Sequence, residues 1–149
     1  MKETKISDLL KSKGPTIYSI EENRDIGEAA ALMNTKKLGS LMVVDASGHY
    51  TGIVTERDLL VHFGTCGDEL CSYKVKELMT KDMICAEMDD TLNRAMNVMT
   101  KNKIRHLPVV SKGKIMGLIS IGDLVGYIKG DLEEETKYLR DYITDQYPR

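Results

Sequence analysis

The chain repeats itself, and no other feature limits its fold as much. Ile6-Ser7-Asp8-Leu9-Leu10 aligns with Val75-Lys76-Glu77-Leu78-Met79. Ile26-Gly27-Glu28-Ala29-Ala30 aligns with Leu92-Asn93-Arg94-Ala95-Met96, and Val43-Val44 with Val109-Val110. Gly52-Ile53-Val54-Thr55-Glu56-Arg57-Asp58 aligns with Gly117-Leu118-Ile119-Ser120-Ile121-Gly122-Asp123. The spacing between equivalents drifts only in small steps, all in loops. The first copy spans 6–62 and the second 75–130. A unit of roughly 60 residues buries too little surface to stand alone, so the copies are expected to pack on each other. Between them, 63–74 carries the turn formers Gly64-Thr65-Cys66-Gly67-Asp68-Glu69 and is expected as an exposed loop. A helical tail is expected over 131–149.

Each copy predicts the same order of elements. A short apolar opening helix (Leu9, Leu10; Leu78, Met79) precedes an extended segment (Thr16-Ile17-Tyr18; Met83-Ile84-Cys85). An amphipathic helix follows, with Ile26, Ala29, Ala30 and Met33 on one face, matched by Leu92, Ala95, Met96 and Met99. Asp25 with Glu28 resembles a capping box, and Asp90 or Thr91 can cap the second helix. Two strands then form a hairpin, Leu41–Val44 with Tyr50–Thr55 and Leu107–Val110 with Ile115–Ser120. A last helix starts at Thr55 or Ser120. The object implied is one pseudo-symmetric α+β domain with related grooves where the copies meet.

Composition narrows the function. Lys plus Arg number 21 and Asp plus Glu 23, a net charge of -2 that argues against a general nucleic-acid binder. Aromatic residues are only 5%, too few for a base-stacking platform. No apolar run is long enough for a transmembrane helix, and the charged start Met1-Lys2-Glu3-Thr4-Lys5 leads into no signal-peptide core. A cytoplasmic chain with three reduced thiols and no membrane contact is expected. The Met residues sit mainly at apolar helical positions (Met33, Met79, Met96, Met99) and read as core packing. His62, Cys66 and Cys71 number only three possible ligands, so no metal site is assigned. No nucleophile–base pair and no P-loop is present, so no catalytic residue is assigned and no enzyme is expected.

The motif Gly-apolar-apolar-Thr/Ser-x-x-Asp carries the chemistry, and it occurs twice at matched positions. It reads as a strand ending in Gly, followed by a helix start, and the Gly leaves room for a close approach to the backbone. Thr55 and Ser120 open helices whose free N–H groups can hold an anion. Asp58 and Asp123 lie in the first turn, where a carboxylate can accept from vicinal hydroxyls such as a ribose offers. The plain alternative is helix capping without ligand. Arg105 and His106, before Leu107-Pro108-Val109-Val110, can grip phosphate or can be solvated strand-end residues. Their first-copy equivalents, Gly39 and Ser40, carry no charge.

The strings HLPVV (106–110), GIVTERDLL (52–60) and GLISIGDLV (117–125) resemble the CBS-domain family. Two such motifs in tandem resemble a Bateman module, and the likeness is to small stand-alone two-motif proteins of bacteria and archaea. The resemblance implies a β-α-β-β-α unit twice over, packed about a pseudo-two-fold axis, with a C-terminal helix. It implies a non-enzymatic sensor of adenine nucleotides: AMP, ADP, ATP, or in some members NAD or S-adenosylmethionine. No cofactor is required; the nucleotide is a regulatory ligand. In the second-motif cleft Asp123 would hold ribose, Ser120 the phosphate side, and Arg105 and His106 the phosphate. Leu118 would line the same cleft, and Tyr18, Leu38 and Gly39 would complete it from the other copy. The first-motif cleft would use Ser40, Ile53, Thr55, Asp58, Cys85 and Ile104, with Gly39 and Arg105, and it departs from the pattern by lacking a basic pair. The resemblance also implies a homodimer acting on a downstream protein. The alternative is a structural or partner-binding dimerisation module with vestigial clefts. In the tail, Leu132, Leu139, Tyr142 and Ile143 can share one helical face, behind the acidic run Glu133-Glu134-Glu135, and pack on the domain or bridge two subunits.

Overall fold

Periodicity of apolar residues sets the elements, and the repeat sets their order twice. The computed structural model describes residues 3–146. The first half runs α1 (Ile6–Lys13), β1 (Ser19–Glu21), α2 (Ile26–Lys36), β2 (Ser40–Val44), β3 (Tyr50–Thr55) and α3 (Glu56–Cys66). The second runs α4 (Val75–Leu78), β4 (Ala86–Glu87), α5 (Leu92–Asn102), β5 (His106–Ser111), β6 (Lys114–Ser120) and α6 (Ile121–Gln146). Each half holds a three-stranded sheet, β1-β2-β3 and β4-β5-β6. In both, the first pair is parallel and the second antiparallel. Matching irregularities fall between Val43 and Val44 and between Val109 and Val110. The α+β class and the duplicated β-α-β-β-α order are as the sequence implies. No described helix is long and apolar enough to cross a membrane.

The two cores exchange their opening helices. Ile6, Leu9 and Leu10 of α1 are buried with Leu92, Ala95, Met99, Leu107, Val109 and Ile119 of the second half. Val75 and Leu78 of α4 are buried with Ile26, Ala29, Met33, Leu41, Val43 and Val54 of the first. Each half therefore lacks a complete core without a segment of the other. Glycine makes the exchange possible. A Cβ on Gly117 would lie 2.8 Å from Leu10 Cδ2, and one on Gly52 would lie 2.7 Å from the Thr80 carbonyl oxygen and 2.8 Å from Met79 Sδ. The close approach foreseen at these two glycines is made by the other half's opening segment, not by a ligand. Among the methionines, Met33 and Met99 are buried, while Met79 and Met96 pack on the core edges.

Three expectations need correction. The first strands begin later than 16–18 and 83–85. Ile20 pairs with Val43 and Ala86 with Val109, so Tyr18 corresponds to Ile84 and not to Cys85. The segment 63–74 is not a loop. Helix α3 continues to Cys66 and a 3-10 helix covers Gly67–Ser72, because Leu70 and Tyr73 pack on the first core and Cys71 lies against Gly27. The tail is not a separate helix either. Helix α6 is continuous to Gln146, for Gly126 and Gly130 weaken a helix without breaking it. Leu132 and Leu139 are exposed along it, and the side chains of Tyr142 and Ile143 lie outside the described residues.

Caps also differ between the halves. Thr91 Oγ1 accepts from the Arg94 amide at 3.1 Å and caps α5. Asp25 makes no such bond to α2. Its carboxylate instead takes the Lys74 ammonium at 2.7 Å, next to an isolated backbone bridge between the same two residues. That contact ties the start of α2 to the start of the exchanged helix α4.

Candidate functional site

Both Thr/Ser-x-x-Asp motifs close into reciprocal capping boxes. The Thr55 amide donates to Asp58 Oδ2 at 2.9 Å and the Asp58 amide to Thr55 Oγ1 at 3.2 Å. The Ser120 amide donates to Asp123 Oδ2 at 2.8 Å and the Asp123 amide to Ser120 Oγ at 3.1 Å. The capping chemistry and the candidate binding chemistry thus coexist. Among the described residues the donors to both carboxylates bond to Oδ2, which leaves Oδ1 for another donor. Sequence alone fixes this much, since a strand followed by Thr or Ser with Asp three residues on is a complete cap signal.

Each motif opens onto a cleft. The Asp123 cleft has a volume of about 420 Å³ and gathers Tyr18, Leu38, Gly39, His106, Leu118, Ser120 and Asp123, the residues that the family resemblance groups there. Arg105 is not among its walls. It lines the Asp58 cleft and a shallower cavity between the two. The Asp58 cleft, of about 800 Å³, gathers Ile53, Thr55, Asp58, Ile104 and Arg105. Ser40 is displaced from it. Paired with Thr55 across β2 and β3, it is buried and lines the Asp123 cleft instead. Cys85 is absent from the Asp58 cleft as well, and Ile84 takes its place. A one-residue change of strand register turns a side chain to the opposite face. Burial, followed by the charge of Glu87, pushes the Cys85 thiol up from its ordinary value.

The Asp58 cleft does not lack basic groups. Arg57, Lys103 and Arg105 line it, with Asp82 and Glu56 as acidic counterparts. Arg57 Nη1 donates to the Lys103 carbonyl at 2.8 Å and ties α3 to the end of α5. Lys13, Thr16 and Lys37 were likewise not foreseen in the Asp123 cleft. For Lys37 and Lys103 a sequence signal existed. Lys37-Leu38 and Lys103-Ile104 are repeat equivalents, each following the last turn of a helix. Both lysines sit at φ 55, the left-handed cap position that favours glycine or asparagine. For Lys13 no local signal existed, because only the exchanged packing of α1 brings it there.

His106 lines all three cavities and stands between the clefts. Its imidazole is held below the ordinary value chiefly by burial, with Lys13 and Arg105 pushing the same way against Glu56 and Asp123. Gly39 makes room for it. A Cβ at residue 39 would lie 2.9 Å from His106 Nε2 and 3.4 Å from Glu56 Oε1.

The fold has counterparts among known proteins. The family model described as CBS domain matches residues 6–64 and 75–130. A mitochondrial CBS domain-containing protein of Arabidopsis thaliana is 34% identical over 152 aligned positions, covering 97% of this chain and 74% of that protein. The crystal structure of a CBS-domain containing protein from Agrobacterium tumefaciens superposes with a TM-score of 0.80 at 36% identity, covering 83% of this chain and 92% of that one. A CBS domain pair crystallised with 5'-methylthioadenosine and S-adenosyl-L-methionine superposes with a TM-score of 0.72 at 25% identity, covering 86% of this chain and 98% of that one. With a family model matched in both halves of the repeat and over most of its length, this chain belongs to the CBS-domain family.

Proposed function

We propose that this protein is a non-enzymatic sensor, binding an adenosine-containing ligand in the Asp58 and Asp123 clefts and reporting it to a partner protein. The observation that carries the reading is the duplicated cradle. Each cleft joins a helix N-terminus, a capping carboxylate with a spare oxygen, and cations from the other half. Asp58 and Asp123 would take the ribose hydroxyls through Oδ1. The N-termini of α3 and α6, with Thr55 and Ser120, would face an anionic group, helped by Lys37 and His106 in one cleft and by Lys103 and Arg105 in the other. Tyr18, Leu38 and Leu118 in one cleft, and Ile84, Ile104 and Ile53 in the other, would form the apolar walls for the base. Both cavity volumes lie in the usual range for small-molecule sites. AMP, ADP, ATP, NAD and S-adenosylmethionine are the candidate ligands. The signal is a population shift, since a ligand touching both halves favours one arrangement of them. The working form is a cytoplasmic homodimer, with 6–62 and 75–130 as the binding units and the long α6 available to a partner.

Isothermal titration of the full chain against these five compounds tests the reading. Binding of at least one is expected, and Asp123→Ala weakens it about tenfold or more through loss of a charge-assisted hydrogen bond. No binding to any at millimolar concentration sinks the proposal.

A second reading is a dimerisation module with vestigial clefts. The engagement of both carboxylates in caps favours it, because capping alone accounts for Asp58 and Asp123. Under that reading the protein holds a stoichiometric partner with no response to nucleotide.

A further inference from the structure

The two clefts treat equivalent groups differently. In the Asp58 cleft the Ile53 carbonyl accepts from the Thr80 amide at 2.8 Å, within a backbone bridge. Among the described residues Asp58 has no ion-pair partner. In the Asp123 cleft the equivalent carbonyl, that of Leu118, accepts from the Lys13 ammonium. The same ammonium lies 2.7 Å from Asp123 Oδ2. Lys13 comes from the last turn of α1, held in place by Leu10 against Gly117. The corresponding linker of the other cleft supplies Asp82, an opposite charge.

We propose that Lys13 is a built-in occupant of the Asp123 cleft, which a ligand must displace, and that it selects adenosine ligands bearing an anionic group over neutral or cationic ones. This rests on the reading that Asp123 receives a ribose. The ammonium sits on Asp123 Oδ2 and the Leu118 carbonyl, beside the free Oδ1, so a ribose diol approaching Oδ1 meets it and has to take its place. The side chains of Lys13 and Asp123 are 35% and 26% exposed, so the pair is less screened than a surface ion pair. Releasing it costs charge-assisted hydrogen bonds. A phosphate at the N-terminus of α6 compensates, because the flexible lysine stem can swing its charge onto the new anion. A neutral nucleoside offers the freed ammonium nothing, and a cationic ligand repels it. Lys37 adds to the same preference without blocking the carboxylate. Selection is therefore by exchange of partners, and it belongs to one cleft only.

The test is a titration of the full chain with AMP and with adenosine, followed by amide NMR. Ser120 and Gly122 report on the Asp123 cleft, and Thr55 and Asp58 on the other. In the native protein the Asp123 cleft binds AMP more tightly than adenosine. In Lys13→Met, which keeps the aliphatic stem, the AMP-to-adenosine affinity ratio falls about tenfold there and stays constant in the Asp58 cleft. Lys13→Arg retains the preference. An unchanged ratio in Lys13→Met overturns the role of Lys13 while leaving the sensor reading intact. An equal change in both clefts also overturns it, for that marks a structural effect. Absence of binding to the Asp123 cleft in native protein and variant alike overturns the ribose reading and the proposal with it.

Discussion

The Asp58 and Asp123 clefts begin from one motif and end as different sites. Both have a capping box, a helix N-terminus and a left-handed lysine on the facing wall. They part at the residues delivered by the exchanged opening segments. One receives Lys13, paired with Asp123; the other receives Thr80, bonded to Ile53, and Asp82. The larger cleft mixes arginines with acids, and the smaller one holds Lys13, Lys37 and His106 around a single carboxylate. Duplication thus preserved the part of the site that is local in sequence. It let the part supplied from across the molecule diverge, because backbone capping does not depend on those distant side chains.

The exchange of helices is the first thing to challenge, and it carries the largest effect. Leu9→Ala removes a buried side chain from the second core and should cost about 2–5 kcal/mol in urea unfolding. Hydrogen exchange should then accelerate in β5 and β6. Leu78→Ala should accelerate it in β2 and β3 instead. Acceleration in each helix's own half of the repeat would overturn the exchanged arrangement. Next are the two glycines. A Cβ on Gly52 meets backbone oxygen, whereas one on Gly117 meets the end of a leucine side chain that can yield. Gly52→Ala should cost about 1–3 kcal/mol and Gly117→Ala less; the reverse order would mean that the helix approach is not equally tight in the two halves.

Acidity separates the clefts more gently. Burial disfavours the charged imidazole of His106, so its folded value lies below its unfolded one. Between those two values the unfolded chain binds a proton that the fold does not. Stability conferred by His106 should therefore be complete above the ordinary imidazole value and decline as pH falls through that window. His106→Asn should flatten this slope in denaturation measured across mildly acidic pH, and an unaltered slope would assign it to other groups. The smallest contrast is between the caps of the two amphipathic helices. Thr91→Ala should cost about 1 kcal/mol. Asp25→Ala, which breaks only a half-exposed ion pair, should cost about 0–1 kcal/mol and lose that effect in high salt. Equal, salt-independent losses would show Asp25 acting as a true cap.

Much of the site was readable before the structure, and the misplacements have identifiable physical causes. Thr55, Asp58, Ser120 and Asp123 were legible because capping works within a single turn. Leu38, Gly39, Ile104 and Tyr18 came only from the family resemblance, since no local chemistry marks them. Ile84 and not Cys85 faces the Asp58 cleft because strand pairing alone sets the register of the extended segment, which the apolar pattern leaves open by one residue. Ser40 lines the Asp123 cleft and not the Asp58 cleft, a placement that depends on its pairing with Thr55 across the sheet and on no local signal. Arg105 and His106, adjacent in sequence, were treated as a unit, yet Arg105 lines the Asp58 cleft while His106 stands between the two.

By itself the sequence determined the helices and strands of each repeat, their order, their duplication and the caps that begin the two last helices. Those follow from interactions within a few residues, and the repeat states each of them twice. Only the tertiary structure decided which core each opening helix joins. Ile6, Leu9 and Leu10 carry the same apolar pattern as Val75, Leu78 and Met79, so no local preference distinguishes the two cores. Long-range burial makes that choice, and with it brings Lys13 to Asp123.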